Sequence, residues 1–321
     1  MNDFYDLTET PATVSVDQVK QKALELGFHQ VGIATVEEAV GAEVQRLQAW
    51  LALGYQADMN WMENPKRQDI RAVMPEARSL ICVALNYYTA HQRPSGREYA
   101  KISRYGWGRD YHKVLHKKLK ALANWLIDLR EGTQARYYAD TGPIQDKAWA
   151  QRAGIGWIAK NGNVITRKYG TWIFLGEVLT NLDLTPDMPH NEHCGSCTRC
   201  IDACPTGAIT QPFVVNANQC IAYHTIENRA ETLPDMLPHL HGWVAGCDIC
   251  QDVCPWNQRF AQETDIAEFQ PYPTNVAPTL AELAEISDEE WDKRFPASAL
   301  RRIKPEMLRR NALANQLYAN Q

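Results

Sequence analysis

The sequence lacks a long apolar run, a secretion signal and an excess of positive charge. No stretch of 18 apolar residues occurs among its 321 residues, which excludes a membrane-spanning helix. The first 18 residues are acidic and contain neither the apolar core of a signal peptide nor a twin-arginine pair. A net charge of −5, from 33 basic and 38 acidic side chains, excludes an all-basic nucleic-acid coat but not local basic patches. We therefore expect a cytoplasmic protein.

Cysteine is nearly absent from the first part of the chain, where Cys82 stands alone. Cys82 lies in the apolar stretch 79–88, which predicts a buried strand, so we interpret it as a small core residue. The other eight of the nine cysteines lie between Cys194 and Cys254. In the cytoplasm thiols stay reduced, so this crowding favours metal ligation over disulfide bonds.

The rest of the composition is ordinary for a globular protein, with 45% apolar and 22% charged residues. Periodicity predicts helices over 15–27, 42–53 and 111–130, strands over 29–36, 79–88 and 135–140, a hairpin over 163–180, and two or three short helices over 279–319. Ser15 and Gln18 form a possible capping box for the first helix. Interleaved helices and strands predict an α/β or α+β first domain.

A polar stretch with two prolines, 181–193, predicts a domain boundary. At roughly 100–200 residues per domain, the length fits about two domains. We divide the chain into a first domain over 1–185, a cysteine module over 186–260 and a C-terminal helical segment over 261–321.

The cysteine spacing is typical of proteins that carry two [4Fe-4S] clusters. Cys194, Cys197, Cys200 and Cys204 follow the pattern C-x2-C-x2-C-x3-C-P, in which the fourth cysteine ligates the other cluster. A second copy holds Cys247, Cys250 and Cys254 but lacks its first cysteine, and Cys220 is the one unassigned thiol nearby.

The crossed arrangement of such modules predicts two complete ligand sets. Cluster one takes Cys194, Cys197, Cys200 and Cys254, and cluster two takes Cys204, Cys220, Cys247 and Cys250. Structural zinc is the alternative, but zinc sites usually pair two C-x2-C units across a dozen or more residues, and no such pair organises this array. Two clusters transfer electrons and are not in themselves a catalyst, so the reaction belongs to the first domain.

Asp140 is the candidate catalytic residue of the first domain. It ends the predicted strand 135–140 and precedes Thr141-Gly142-Pro143 and a helix, where α/β folds place ligand-binding groups. A carboxyl there acts as a general acid if burial raises its pKa into the working range. The alternative is a helix N-cap, and the spacing alone does not separate the two.

Six stretches resemble the epoxyqueuosine reductase family: RYGWGRDYHKVL at 104–115, ADTGPIQDKAWAQRAGIGWIAKN at 139–161, GTWIFLGEVLTNLDL at 170–184, CGSCTRCIDACPTGAI at 194–209, CIAYHTIENR at 220–229 and GCDICQDVCPWN at 246–257. The similarity covers roughly residues 15–310. It implies an α+β fold, with a nitroreductase-like cobalamin-binding domain similar to that of reductive dehalogenases. A two-cluster ferredoxin-like module and short C-terminal helices would follow.

The resemblance also implies a reaction. The family removes the epoxide oxygen of epoxyqueuosine in the anticodon loop of tRNA, the last step of queuosine synthesis. Cob(I)alamin would attack the epoxide, the two [4Fe-4S] clusters would relay electrons, and Asp140 matches the family's proposed proton donor. The implied partners are a tRNA with a queuosine-type anticodon and an unidentified electron donor, and we expect a monomer.

By resemblance, the cobalamin contacts are Glu63, Tyr105, Asp140, Asn161, Val164 and Gly176. Simple packing is the alternative for each of them. Asp110 and His112 begin a D-x-H-x-x-G corrinoid motif, but Leu115 replaces its glycine. The failed match agrees with the family's base-off cofactor, which has no protein histidine ligand. We therefore interpret His112 as a surface or structural histidine.

Two segments are locally basic despite the negative net charge. Residues 101–120 hold seven lysines and arginines against one acid, and residues 291–310 hold seven against two. Patches of this size can bind tRNA phosphates, with an affinity that falls steeply with salt. The alternative is two solvated helix faces.

Two other functions share some of these features. A reductive dehalogenase uses cobalamin and two clusters, but usually carries the twin-arginine signal that is missing here. A ferredoxin-type carrier does not need the long segment that precedes the cysteine module. Many family members continue into a C-terminal helical-repeat extension, whereas this chain stops at Gln321, as a natural short form or a truncated chain.

Overall fold

The computed structural model describes residues 14–36, 41–234 and 240–319; the N-terminal residues used to argue against a signal, and Gln321, lie outside them. The helices are α1 Val16–Glu25, α2 Ala42–Ala52, α3 Tyr111–Leu129, α4 Asp146–Arg152, α5 Arg199–Asp202, α6 Ile221–Ile226, α7 Ile249–Asp252, α8 Pro255–Phe260, α9 Pro273–Val276, α10 Leu280–Ala284, α11 Asp288–Arg294 and α12 Pro305–Ala319. The strands are β1 Gln30–Thr35, β2 Ser79–Asn86, β3 Lys101–Ile102, β4 Ala135–Tyr138, β5 Trp157–Ile158, β6 Val164–Ile165, β7 Ile173–Thr180, β8 Ile209–Gln211, β9 Val214–Val215 and β10 Trp243–Ala245.

Local sequence signals place the first elements where they were predicted. The capping box is present, since Ser15 accepts from the Asp17 amide and Gln18 accepts from the Ser15 amide. Helix α3 begins after Asp110, whose carboxylate accepts the His112 amide at 3.0 Å. This cap fixes the first turn of α3, which carries Tyr111 and His112.

The first domain is built on a four-stranded sheet in the order β1-β2-β7-β4. Each neighbouring pair is antiparallel, so the fold is α+β, and the alternative of a parallel α/β sheet is wrong. In the register of β2 and β7, Cys82 lies opposite Glu177, and Val83 lies opposite Gly176. Neighbouring pairs point to opposite faces of the sheet, which separates the environments of Glu177 and Gly176.

Apolar cores cover both faces of this sheet. Helices α1 and α3 pack on one face through residues such as Val19 and Leu119. Helix α4 packs on the other face through Trp149 and Ala150, in the same core as Cys82. Cys82 is only 1% exposed, which confirms its interpretation as a core thiol.

The predicted hairpin over 163–180 is wrong. Strand β6 pairs with β5, and β7 instead lies between β2 and β4. The turn between them closes a single bridge from Thr166 to Gly170. Strand β7 is buried along most of its length, so it gains more by pairing on both sides inside the sheet than in an isolated hairpin.

A third core joins the cysteine module to its flanking segments. Strand β10 pairs in parallel with β3, and Ile102, Val244 and Leu300 share one apolar cluster. The C-terminal segment forms α10, α11 and α12, in agreement with the short helices predicted there. Among the described residues, no helix combines the length and apolarity required to cross a bilayer.

Candidate active site

A cavity of about 500 Å³ lies between the first domain and the cysteine module. Four thiols line it: Cys204, Cys220, Cys247 and Cys250. These are the four that the sequence assigned to cluster two. Tyr105 and Asn161, two of the predicted cofactor contacts, line the same cavity.

The two cysteine motifs fold alike and exchange their last cysteines. Each contains a one-turn helix, α5 with Cys200 and α7 with Cys250. The chain then turns away, so that Cys254 packs in a small core with Cys194, whereas Cys204 lines the cavity. The structure therefore brings together thiols from both motifs in the combination that the crossed arrangement predicts.

The thiols suit clusters better than single metal ions. Among the described residues, no three His, Cys, Asp or Glu side chains converge on a point where one ion could bind. A cubane cluster binds each thiolate to a different iron and so separates its ligands more widely than zinc does. Burial raises the pKa of Cys247 and Cys250, so their ionisation requires a cationic partner such as iron.

Buried polar contacts hold the cysteine module against the first domain. The carboxylate of Asp248 is fully buried, pairs with Arg93 and accepts the Arg104 amide at 2.8 Å. Lys160 donates to the carbonyls of Gly195 and Cys197, at 2.5 and 3.0 Å. These contacts immobilise the backbone around several of the thiols.

Asp140 lies in a tight turn directly after β4. Its φ is 59°, and the Thr141 amide donates to the Ala139 carbonyl at 2.6 Å, which closes a three-residue turn around it. Turns of this hand are rare and strained, although Asp tolerates positive φ better than most residues. Helix α4 begins after Gln145, so the interpretation of Asp140 as its N-cap is wrong. The Asp140 side chain is 60% exposed.

Tyr111 and His112 hold the Asp140 carboxylate from the first turn of α3. The Tyr111 hydroxyl donates to Oδ2 at 2.8 Å, and His112 Nε2 lies 3.2 Å from the same oxygen. Although Asp140 is exposed, the surrounding residues partly desolvate its carboxylate and oppose ionisation, but the hydrogen bonds from His112 and Tyr111 outweigh this effect and lower the pKa. The condition set from the sequence, a pKa raised by burial, is therefore not met.

His112 carries the proton in this arrangement. Burial lowers the pKa of His112, but Asp110 and Asp140 raise it further, to about 9. His112 Nδ1 contacts Asp110 Oδ1 at 2.8 Å. At neutral pH the group is thus an imidazolium beside an ionised Asp140. The Asp-x-His pair of Asp110 and His112 is the sequence signal that could have predicted this role of His112. In the sequence it is interpreted only as an incomplete corrinoid motif.

A buried pair of carboxyl groups lies close to this turn. Glu177 is 0% exposed, and among the described residues its carboxyl has only the Asp146 carboxyl as a partner. Burial raises the pKa of Glu177 well above its usual value and that of Asp146 to about 7. Because two adjacent buried carboxyls resist joint ionisation, they hold one proton between them near neutral pH.

The other predicted cofactor contacts lie apart from the cavity lining. Val164 is buried in the core beneath α4, where β6 pairs with β5. Gly176 faces α3, and a Cβ there would lie 2.9 Å from the Leu119 side chain. Glu63 is exposed and accepts a hydrogen bond from Gln56 at 3.1 Å. Among residues that the sequence did not suggest, Lys147 and Phe213 line the cavity.

The two basic segments, 101–120 and 291–310, have fewer cations free to bind tRNA phosphates than their net charge suggests. Arg104 is buried and donates to the carbonyls of Thr89 and His91. In the second segment, Arg302 pairs with Glu227, and Arg309 pairs with Asp288. Both acids lie outside residues 291–310, so they were not included in the charge of that segment. The exposed cations that remain in the first segment are Arg109, Lys113, Lys117 and Lys120. The first segment is therefore the stronger phosphate-binding candidate.

Two family models match the chain. "Epoxyqueuosine reductase QueG, DUF1730" matches residues 67–141, and "4Fe-4S double cluster binding domain" matches residues 193–257. A curated epoxyqueuosine reductase from Synechocystis sp. is 64% identical over 287 residues, which cover 89% of this chain and 99% of the relative.

Solved structures of epoxyqueuosine reductases have the same fold. One, crystallised with an epoxyqueuosine-modified tRNA-Tyr stem loop, is 32% identical, with a TM-score of 0.85 over 93% of this chain and 80% of its own. Another, from Bacillus subtilis, is also 32% identical, with a TM-score of 0.83 over the same shares. In that second structure a catalytic loop bearing an aspartate is swung out of the active site.

Proposed function

The chain belongs to the epoxyqueuosine reductase family, and on that premise we propose that it reduces epoxyqueuosine to queuosine in the anticodon loop of tRNA. The observation that carries this proposal is the cavity lined by four thiols, together with Asp140, whose carboxylate interacts with Lys147 in the cavity wall. Tyr105 and Asn161 line the cavity, and burial together with nearby carboxylates, Asp140 among them, raises the pKa of Tyr105. The overall change, loss of an epoxide oxygen as water, consumes two electrons and two protons.

We propose that two [4Fe-4S] clusters bind in the predicted sets and that cobalamin binds in the cavity beside the second. The thiol-lined wall fits a cluster, and no histidine occurs in the cavity lining among the described residues. That lining fits a corrinoid held without a protein histidine ligand. When bound, cobalamin supplies a strongly nucleophilic reduced metal centre that is charged with electrons from the clusters.

The chain's own contribution is to hold and deliver protons. Asp140 Oδ2 is the atom that presents a proton to the epoxide oxygen as the ring opens. Because the carboxylate is ionised at neutral pH, its proton comes from His112 Nε2 across 3.2 Å. Tyr111 fixes the direction of Oδ2 through its 2.8 Å hydrogen bond. When the turn closes over substrate and excludes water, the carboxylate becomes harder to keep ionised, which favours this transfer.

The test is anaerobic turnover of an epoxyqueuosine-modified stem loop by the cofactor-loaded protein and a chemical reductant. We expect conversion to the queuosine stem loop, about eight irons per chain, and a base-off cob(II)alamin spectrum. Turnover of aryl or alkyl halides without turnover of the stem loop would instead support a reductive dehalogenase. Loaded protein that holds both clusters but no corrinoid would contradict the proposed mechanism.

A further inference from the structure

An exposed tryptophan and an arginine stack on each other beside the Asp140 turn. Trp61 is 43% exposed and is the one tryptophan among the exposed large apolar side chains of the described residues. The Arg302 guanidinium lies over its ring, 5.4 Å from the centroid. A guanidinium stacked on an indole leaves one face of each group open to a further planar group.

Neighbouring groups fix the orientation of Arg302 and neutralise its charge. Its Nη2 and Nε atoms donate to the carboxylate of Glu227, at 2.6 and 3.1 Å. Arg229 donates to the Arg302 carbonyl at 3.0 Å, which also holds the backbone. An arginine already paired with a carboxylate gains little from a phosphate, but its plane remains available for stacking. This contact set therefore favours a base over the RNA backbone.

The pair is coupled to the proton-donating turn. Arg67 donates to the Trp61 carbonyl at 3.2 Å and to the carbonyls of Ile144 and Gly142, at 2.9 and 3.1 Å. These hydrogen bonds connect the short helical turn that carries Trp61 to the loop that follows Asp140. On the opposite side, the charge of Arg302 lies close enough to Asp140 to interact with it.

We propose that Trp61 and Arg302 form a stacking platform for an unpaired nucleobase next to the modified nucleotide of the tRNA loop. The proposal rests on the proposed function, because that function places a single-stranded loop at this opening. Proteins commonly hold splayed loop bases by stacking them on aromatic rings or guanidinium planes. The same base, once stacked, contacts the segment that Arg67 ties to the Asp140 loop.

The test is a double-mutant cycle that combines protein variants with altered stem loops and measures binding, so it does not depend on turnover. Modified stem loops are prepared in which each unpaired base in turn is replaced by an abasic site, so that every phosphate is retained. Their Kd values are measured anaerobically with wild-type, Trp61→Ala and Trp61→Phe cofactor-loaded proteins. At one position we expect the abasic site to weaken wild-type binding about 10- to 100-fold and to have no further effect in Trp61→Ala. Trp61→Phe should retain most of the affinity.

Arg301→Ala is the matched control for Arg302→Ala. Arg301 also stacks on a tryptophan, Trp291, at 4.4 Å and also pairs with an acid, Asp292. We expect Arg302→Ala to weaken stem-loop binding without changing its salt dependence, and Arg301→Ala to leave binding unchanged. If the slope of log Kd against log salt concentration were smaller by about one in Arg302→Ala than in the wild type, Arg302 would contact a phosphate, and the stacking platform would be overturned.

Other results would also overturn the proposal. These are an equal loss in Arg301→Ala, unchanged binding in Trp61→Ala, or additive effects of Trp61→Ala and the abasic site at every position. Failure of the proposed function has a different signature, since the wild-type protein would then bind the stem loop without converting it.

Discussion

The cysteine side of the cavity and the Asp140 side differ in how many buried polar groups hold them. Around Cys247, Asp248 is fully buried and bound by Arg93, Ser103 and the Arg104 amide. Asp140, by contrast, is 60% exposed in a turn with positive φ. One wall is fixed by charge-assisted contacts in the interior, and the other is held by hydrogen bonds that face solvent.

This difference matches the two tasks that we propose for the site. Electron transfer between clusters and cofactor requires constant distances, so the thiol wall benefits from rigidity. Proton delivery to a large substrate requires a group that can withdraw and return. The loop that swings out in the Bacillus subtilis relative is the counterpart expected of such a turn. The contrast predicts that changes on the two sides will have different kinds of effect.

The largest effect is expected from Cys204→Ala on the rigid side. If Cys204 belongs to cluster two, the variant loses that cluster and nearly all turnover, while cluster one remains because its four thiols are intact. Iron and sulfide should fall from about eight to about four per chain, with one cubane signal left in electron paramagnetic resonance. Loss of cluster one instead would show that the sets are not crossed.

Asp140→Asn should give the next largest effect, on the Asp140 side. Asn has the same shape and tolerates the positive φ of 59°, so the turn should persist without a proton to deliver. We expect turnover to fall about 100- to 10,000-fold while both clusters and cobalamin are retained. Stem-loop turnover is compared with iron content and the visible spectrum of the same sample. Wild-type turnover would remove Asp140 from the proposed role.

The stability of the two sides can be compared directly with one variant on each. Asp248→Asn removes the buried charge partner of Arg93, a side chain only 13% exposed, and leaves it only Asp252 at 3.2 Å, which should cost about 3 kcal/mol. Arg67→Gln removes hydrogen bonds to carbonyls beside the Asp140 turn and should cost about 1–2 kcal/mol. We expect the thermal unfolding midpoint of the cofactor-loaded protein to fall further in Asp248→Asn than in Arg67→Gln. Equal shifts would contradict the contrast.

A further effect, present only over part of the pH range, is a pH dependence of stability from His112. Its pKa of about 9 in the folded protein lies above the ordinary value of 6.5, so its stabilisation is complete below about pH 6.5. The stabilisation is lost as the pH rises through 9, and its size is on the order of 1–3 kcal/mol. His112→Gln should therefore flatten the fall in unfolding midpoint between pH 6.5 and 9. An unchanged fall would place the titrating group elsewhere.

Local and repeated signals in the sequence predicted much of the structure. The Ser15 capping box, the strand around Cys82 and the short C-terminal helices are confirmed. The cysteine spacing predicted which four thiols meet at the cavity, because the geometry of each motif is set within a few residues. Asp140 was found from its position after a strand.

The features that the sequence did not predict depend on contacts between distant segments. Strand β7 pairs with β2 and β4 rather than in the predicted hairpin, which only the completed sheet decides. The lowered pKa of Asp140 depends on His112, which approaches from α3, and the ion pairing of Arg302 depends on Glu227 in the cysteine module. The predicted domain boundaries and ligand sets stay predictions.

The core shared by β3, β10 and the C-terminal helices makes the position of two thiols depend on segments that are far apart in the chain. Ile102, Val244 and Leu300 meet in it, although long stretches of chain separate them. Contacts across such separations form late, because closing a long loop costs entropy before the contact repays it. Cys247 and Cys250 follow β10 directly, so we expect them to reach their places only after α12 has packed against β10.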